Sequence, residues 1–323
     1  MANTKEIKNH IKSVRDTQKI TNAMYLIAST KLRKARADLD RTRPYFNAIK
    51  GEIKRIFRTV KDVQSRYFYP DDGMPTLDGT YACLVITADK GLAGMYNQNV
   101  IKQALQMLKQ HPNTKLFVVG EYGRQYFEHH NIPVEHSFLY TAQNPTMPRA
   151  REICNILLEL YEQGSVQKIF VLYTDIKNGL YEEAKLERLL PFHRKAFASN
   201  QNEKAVKTPF EFAPSVNEVL DNIIPSYVSG YIYSALVDSF CSEQSARMAA
   251  MDSANRNAEK ILSGLTVQYN RLRQAAITQE IVEVSAGALA QKRKARKINQ
   301  EEMNPGECWK NYAGFRPGSR LPV

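Results

Sequence analysis

The chain has 323 residues, of which 43% are hydrophobic and 24% charged, a composition that fits a folded protein of about two domains. Its most apolar window, residues 223–236, is interrupted by proline and glycine, so we exclude a membrane span; the four cysteines are too far apart for a metal or redox motif. The net charge of +12 is concentrated at the two ends of the chain. Residues 1–66 carry 17 Lys and Arg against 6 Asp and Glu, and residues 289–323 carry 8 against 3. This distribution favours an acidic partner such as nucleic acid, anionic lipid or an acidic protein surface.

The first predicted element is a helix over residues 5–61, because apolar and small residues recur there with the seven-residue spacing of a coiled coil. A second apolar stripe, Ile20, Met24 and Ile27, runs beside the first and predicts more than one neighbour for this helix. Pro44 is expected to kink the helix without ending it, since the helical pattern resumes after it. The two tracks of the predicted seam are Ile7, Val14, Thr21, Ala28, Ala35 and Ile11, Gln18, Tyr25, Leu32, Leu39.

Strand and helix patterns alternate over residues 77–192, which predicts a small doubly wound α/β domain with an antiparallel edge strand at its end. The loop of residues 89–94 follows the first strand and precedes a helix, the place where such sheets bind phosphates. It contains neither GxGxxG nor GxxxxGK[ST], so a tight turn is favoured over nucleotide binding. No Ser/His/Asp or Cys/His arrangement is readable, and the sequence therefore predicts neither catalysis nor a cofactor.

A second long helix is predicted over residues 226–289, again with coiled-coil spacing. A helix of this length needs a partner, and the helix at the other end of the chain supplies one if the two run antiparallel. Nine of the eleven seam positions are apolar. They are Ala254, Ile261, Gln268, Ala275, Val282, Leu289 on one track and Ala258, Leu265, Leu272, Gln279, Ala286 on the other.

These elements predict an α/β protein in which a long antiparallel coiled coil of the N- and C-terminal helices carries a small doubly wound α/β domain. We expect an N-terminal coiled-coil helix over residues 1–66, a central domain over 67–212 and a C-terminal coiled-coil helix over 213–290. Residues 291–323 are expected to form a basic, mostly disordered extension, because five cations at its start are followed by many Pro and Gly. The cations could prolong the helix for about two turns.

Three segments resemble the gamma subunit of F-type ATP synthases, in the family's order and spacing. KEIKNHIKSVRDTQKITNAMYLIASTKLRKA is similar to its opening helix, TADKGLAGMYNQNV to its first strand and turn, and SEQSARMAAMDSANRNAEKILSGLTVQYNRLRQAAITQEIVEVSAGA to its closing helix. The resemblance implies a central rotor shaft that couples ion-driven rotation of the c ring to ATP synthesis or hydrolysis at the beta subunits. It also implies a non-catalytic subunit without a cofactor, contacting three alpha and three beta subunits, an epsilon subunit and the c ring.

The resemblance also implies contact residues. Gln274, Thr278 and Glu280, with Arg273, match the segment whose polar side chains engage a beta-subunit loop. Met24 matches the methionine that lies near the acidic levers of the beta subunits. From the residues alone, an exposed polar helix face without a partner would be the more common explanation for the first group.

The stretch around Phe210 and Phe212 resembles the part of the family that approaches the c ring, although Ala213 stands where an acidic residue is expected. The cysteine-bearing insert of chloroplast relatives is absent, so thiol control is not expected. The match begins at residue 2 without a presequence, which favours a bacterial protein on the cytoplasmic face of the plasma membrane, held there peripherally through its complex. The coupling ion and the direction of catalysis in the cell depend on other subunits.

A second function remains open from composition: a basic coiled-coil scaffold that binds nucleic acid or an acidic protein. Nucleic-acid binding would weaken steeply with salt as counterions compete for the phosphates. No recognised nucleic-acid module or aromatic platform accompanies the basic helix, which argues against this function. A dinucleotide-dependent enzyme, a third class, lacks its glycine fingerprint.

Overall fold

The computed structural model describes residues 2–59, 65–69, 79–139, 141–177, 181–193, 212–213 and 215–302. A 58-residue helix, α1 (Ala2–Thr59), opens the chain, and an 87-residue helix, α5 (Val216–Glu302), closes the described part. The predicted fold class is confirmed, and α1 continues through Pro44 as expected. The elements between the helices are β1 (Tyr81–Ile86), α2 (Tyr96–Gln110), β2 (Thr114–Val119), α3 (Glu121–His129), β3 (Val134–Phe138), α4 (Met147–Glu162), β4 (Lys168–Lys177) and β5 (Tyr181–Leu190).

The five strands form one sheet in the order β3-β2-β1-β4-β5. The first four are parallel, and β5 is antiparallel to β4 at the edge, as its pattern predicted. Every side chain of β1 is buried because helices cover both faces of the sheet, which explains its unbroken apolar run.

Successive residues of β1 point to two separate cores. Ala82, Leu84 and Ile86 pack into the larger core with α1, α4 and α5, whereas Tyr81 and Cys83 pack with α2 and α3 on the other face. The larger core includes buried side chains from both long helices, such as Ile53 of α1 and Val228 of α5. The sheet is therefore attached to the long helices through one of its faces.

The described chain divides into two compact units, one of residues 18–256 and one that combines residues 1–17 with residues 257–323. In the first unit, the hydroxyl of Thr21 donates to Oδ1 of Asn255. The ring of Phe46 lies directly over Gly230, where an added Cβ would be 2.0 Å from it. The earlier residue on α1, Thr21, therefore contacts the later residue on α5, Asn255, and the later residue on α1, Phe46, contacts the earlier one, Gly230. The two helices are antiparallel, as predicted.

The seam predicted for α1 is confirmed, since every residue on both tracks is buried or half-buried. Four of them, Ile11, Ala28, Ala35 and Leu39, are less than 10% exposed. Most of the second apolar stripe remains uncovered, because Ile20 is 62% and Ile27 56% exposed, while Met24 is half-buried. This stripe is therefore free for a neighbour other than α5.

The seam predicted for α5 is half wrong. The track through Ala258, Leu265 and Leu272 is buried or half-buried, but its companion runs one residue later than predicted. Ile261, which the prediction placed in the seam, is 48% exposed. The sequence favoured apolar Ile261, whereas the structure places Asn255 in the seam, where Thr21 donates to it. The companion track is Asn255, Leu262, Tyr269 and Ala276.

The second unit shows where the pairing stops. Residues 4–14 of α1 and 258–276 of α5 both have buried or half-buried side chains spaced by three and four residues. All α-helices rise by ~1.5 Å per residue, so the few residues of α1 that remain before its N-terminus can cover only a similar length of α5. From Ile277 to Lys297 every α5 side chain is exposed. The helix continues to Glu302, so residues 291–302 prolong it, and residues 303–323 lie outside the described part.

Candidate subunit-contact surfaces

The carboxyl edge of the sheet is tied to α3 by its own polar groups. Oγ1 of Thr87 accepts from the N–H of Gly123 at 3.0 Å, and Oδ1 of Asp89 accepts from the first N–H of α3 at 3.0 Å. Gly120 has a φ of 96° and lies so close that a Cβ would be 2.2 Å from the Thr87 carbonyl oxygen. The loop after β1 is therefore held to the start of α3 by bonds within the chain.

The same loop is fastened to α5. Nη2 of Arg247 donates to the carbonyl oxygen of Gly91 at 3.2 Å and to that of Lys90 at 3.4 Å. Nη1 of Arg247 pairs with Oε1 of Glu243 at 2.5 Å. Glu243 is 6% exposed, and this burial raises its carboxyl pKa although Arg247 opposes the effect. One arginine thus joins α5 to the loop after β1.

Met24 is half-buried beside this loop and lines a cavity of about 250 Å³. Ile27 and Leu92 line the same cavity and are 56% and 66% exposed. Leu92 has a φ of 63°, which is unusual for a bulky side chain and often marks a functional position. The three residues form an apolar surface that faces solvent, which we call the Met24 surface. The apolar stripe predicted for α1 includes Met24 and Ile27, whereas Leu92 was not predicted, since a turn residue has no periodic signal.

The predicted polar contact residues of α5 are all exposed: Arg273, Gln274, Thr278 and Glu280. At ~100° per residue, Arg273 and Glu280 lie about 20° apart around the helix, and Gln274 and Thr278 about 40° apart on the neighbouring face. The hydroxyl of Thr278 donates to the carbonyl oxygen of Gln274 at 2.9 Å, a bond within the helix. The four side chains are therefore exposed on two faces of α5 that lie about 100° or more apart, and we refer to them together as the polar patch.

Large apolar side chains follow this patch along α5, and they are also exposed. Sequence analysis placed Val282 and Leu289 in the coiled-coil seam, which is wrong, because they are 60% and 62% exposed. A helix that is apolar and uncovered indicates a binding surface for another chain. We call this set the apolar end of α5: Ile277, Ile281, Val282, Val284 and Leu289.

Of the two residues predicted to approach the c ring, the described part of the chain includes one. Phe212 is half-buried and packs against the larger core of the sheet. Phe210 lies outside the described residues. A contact between this stretch and another subunit would therefore use the exposed part of Phe212 and its exposed neighbour Ala213.

Three cysteines are buried free thiols: Cys83, Cys154 and Cys241. Burial raises the thiol pKa of Cys83 and Cys154 to about 12 and that of Cys241 to about 11, so these groups are poor nucleophiles at neutral pH. Within the described ranges, no cluster of three or more His, Cys, Asp and Glu could hold a metal ion. Among the same residues, no helix is long and apolar enough to cross a membrane.

Comparison with known sequences gives a match along almost the whole chain. A family model described as ATP synthase matches residues 3–290. The ATP synthase gamma chain of Caldanaerobacter subterraneus subsp. tengcongensis is 44% identical over 292 residues, covering 88% of this chain and 98% of the relative. The sodium ion specific gamma chain of Acetobacterium woodii is 35% identical over 302 residues, covering 89% and 98%.

Solved structures share the fold at low sequence identity. A structure of the Euglena gracilis mitochondrial ATP synthase (OSCP, F1 and c-ring, rotational state 3) has a chain with a TM-score of 0.63 and 13% identity, covering 92% of this chain and 96% of that one. The central stalk and c-ring structure from Tetrahymena thermophila gives a TM-score of 0.55 at 24% identity, covering 73% and 99%. At these identities the likeness supports the arrangement of helices and sheet.

Proposed function

Because this chain belongs to the gamma-chain family of the ATP synthases, we infer that it is the central rotor shaft of such a complex. The shaft couples ion-driven rotation to ATP synthesis or hydrolysis, and it is itself a non-catalytic subunit, because the catalytic sites lie on the beta subunits. The observation that carries this conclusion is the family match over residues 3–290, which spans both long helices and the sheet. The basic scaffold, the alternative from composition, gains no support from the comparisons.

The partners follow from this role. The chain works inside an ATP synthase, whose rotor in related structures includes a central stalk and a c-ring. We propose that the parts of α1 and α5 farthest from the sheet are enclosed by three alpha and three beta subunits, and that an epsilon subunit and the c ring bind near the sheet. The exposed apolar end of α5 supports this proposal, since it is a surface that requires cover from other chains.

Two surfaces are proposed to contact the beta subunits. The polar patch of Arg273, Gln274, Thr278 and Glu280 is exposed and offers hydrogen bonds to a beta-subunit loop. The Met24 surface is apolar and lies next to exposed Lys31 of α1, which suits the acidic levers of these subunits. Exposed ion pairs contribute only ~0–1 kcal/mol, so contacts of this type can form and break as the shaft turns.

We propose that the stretch of Phe210 and Phe212 forms the contact with the c ring. Association with the membrane would then be peripheral and through the complex alone. A position on the cytoplasmic face of a bacterial plasma membrane is part of the same proposal, supported by the bacterial gamma chains that resemble this one. No contact with nucleic acid is proposed.

The decisive experiment is co-expression of this chain with the alpha and beta subunits from the same source, followed by purification through a tag on beta. We expect one copy of this chain for every three alpha and three beta subunits. A matched control replaces Val282 and Leu289 with Asp, which should leave the exposed helix folded but weaken co-purification. Recovery of the alpha and beta subunits without this chain would contradict the proposed function.

A further inference from the structure

One residue of β4, Thr174, pairs with β5 on one side and is held by α5 on the other side, where β1 no longer pairs with it. The ladder between β1 and β4 ends with the pair Val85 and Leu172, so Thr174 lies beyond it. The amide nitrogen of Thr174 donates to Oγ of Ser239 at 3.1 Å, and its carbonyl oxygen accepts from the hydroxyl of Ser242 at 3.1 Å. α5 thus supplies the hydrogen bonds that β1 no longer provides.

This contact is sealed from water. Thr174 is 3% exposed, Ser239 1% and Ser242 0%. A buried backbone group that loses its partner cannot turn to solvent, so breaking either bond is costly. The crevice beside the first strand is where doubly wound sheets hold their ligands, and here α5 occupies it. The helix therefore takes the place of a ligand at this edge of the sheet.

A second link connects α5 to the neighbouring strand. The hydroxyl of Tyr231 donates to Oε2 of Glu187 on β5. The same carboxylate is paired with Lys185 and accepts a longer bond, 3.5 Å, from the hydroxyl of Tyr173. Tyr231 and Ser242 are separated by eleven residues, about three turns, and so face the same side of α5. Directional bonds therefore reach two neighbouring strands, β4 and β5, from one face of the helix.

We propose that Ser239, Ser242 and Tyr231 are the positioning residues of a joint that transmits rotation between the sheet and the helix pair. The proposal rests on the proposed function, in which the sheet lies at the c ring and the helix pair lies among the beta subunits. Apolar contacts have no preferred direction, so a helix packed by them alone can shift under load. Hydrogen bonds to the fixed backbone of Thr174 lose their geometry when the helix moves, and they therefore oppose such a shift.

The test compares three variants in the complete ATP synthase, reconstituted in lipid vesicles. Ser239→Ala with Ser242→Ala removes both bonds to Thr174. Tyr231→Phe removes the bond to Glu187 and keeps the ring. Ser229→Ala is the matched control, because Ser229 is also buried on α5 but its hydroxyl donates to the carbonyl oxygen of Ser226 in the same helix. For each complex, the ions pumped per ATP hydrolysed are measured against an increasing opposing ion gradient.

We expect the serine pair to lower the number of ions pumped per ATP about twofold at high gradient, with ATP hydrolysis maintained, and Tyr231→Phe to act in the same direction. The Ser229→Ala complex should match the unmodified one. Equal ratios in the serine pair and the Ser229→Ala control would overturn the joint. If the complex with both serine substitutions does not assemble, an unchanged number of ions pumped per ATP in Tyr231→Phe would overturn the proposed joint instead. A complex with the unmodified chain that hydrolyses ATP but pumps no ions would instead contradict the proposed function.

Discussion

The two long helices contain two kinds of apolar surface, and they are easily confused in the sequence. Between Thr21 and Phe46, α1 packs against α5 through small side chains such as Ala28 and Ala35, which are 0% and 8% exposed. Over residues 277–297, α5 has apolar residues at similar intervals, yet all its side chains are exposed. The difference teaches that heptad-like spacing indicates a surface to be covered and does not indicate which chain covers it.

The size of the side chains separates the two regions. Gly230 allows the ring of Phe46 to reach the backbone of α5, so this part of the pair is closely fitted. The apolar end of α5 instead presents branched side chains such as Val284, which is 74% exposed. A closely fitted seam suits permanent pairing within one chain, whereas an exposed apolar helix suits a partner that belongs to another subunit.

The largest expected effect comes from charging the seam of the second unit. Leu265→Asp with Leu272→Asp places two carboxylates among half-buried apolar groups and should lower the free energy of unfolding by about 3 kcal/mol. Circular dichroism during urea unfolding of the isolated chain measures it. The contrasting pair, Ile281→Asp with Val284→Asp, should change stability by less than about 0.5 kcal/mol, because both positions are exposed. Similar losses in the two pairs would remove the distinction between the two surfaces.

The next effect tests the close fit at Gly230. Gly230→Ala forces the ring of Phe46 to move and should cost about 2 kcal/mol by overpacking. The change is seen as a lower midpoint of thermal unfolding. Gly264→Ala is the control, since a Cβ there meets nothing within 4 Å and should stabilise the helix by up to ~1 kcal/mol. Adding Phe46→Leu should recover part of the loss at Gly230, and no recovery would mean that the ring is not the obstacle.

The buried part of α5 should also show a dependence on pH. Burial raises the carboxyl pKa of Asp238 to about 6; Asp175 adds to this rise, and Arg43 and a hydrogen bond from Ser234 oppose it. Because this pKa is higher in the folded protein, the folded state binds the proton more tightly. The contribution of Asp238 to stability should fall as pH rises from about 4 to about 6 and stay constant above, a loss of up to ~2 kcal/mol.

Asp238→Asn isolates this effect. The difference in unfolding free energy between the variant and the unmodified chain, measured from pH 4 to pH 8, cancels the titration of all other groups. The variant should gain relative stability from about pH 4 to about pH 6, and the difference should then stay constant. A difference that is flat with pH would show that Asp238 titrates normally.

A smaller effect is expected at the polar patch, and only in the complex. Gln274→Ala with Thr278→Ala should lower ATP turnover about threefold, because the hydrogen bonds to a beta-subunit loop are lost. Neither side chain is buried, so stability and assembly should not change. The control is Gln268→Ala with Thr266→Ala, another exposed pair in which the threonine hydroxyl also bonds within the helix. Equal turnover for both pairs would argue against the proposed contact.

No effect is expected from removing the extension beyond Ala290, where the match to the family ends. The truncated chain should assemble and hydrolyse ATP at the same rate as the unmodified chain at low and high salt. Its exposed cations, residues 292–297, offer a specific alternative. A rate that rises on truncation, and rises equally with salt in the intact chain, would show that the extension restrains rotation by charge.

Much of the fold was predictable from sequence because it depends on repeated patterns. The continuous apolar run of β1 and the seam of α1 each involve many residues, so single exceptions such as Thr21 did not hide them. The seam of α5 was misplaced by one residue because Asn255 is polar and its partner Thr21 is distant in sequence. Pattern counting has no means of recognising a hydrogen bond between residues that are far apart in the chain.

The contact surfaces were predicted less completely. Resemblance to a family supplied Met24 and the polar patch, since both lie in long matching segments. Leu92 was missed because its exposure depends on a left-handed turn, which only the backbone reveals. Ser239 and Ser242 were missed because a serine that bonds to a distant strand looks the same in sequence as one that bonds to its own helix.

The contact between Phe46 and Gly230 has a consequence for the length of the pair. A slip of one heptad along α5 would move the ring from the glycine to Ile223 or Val237, where side chains fill the space that the ring needs. Such a slip would displace one helix by about 10 Å along the other. This single glycine therefore fixes the register of the two helices, and with it the number of α5 residues that are left for other subunits to enclose.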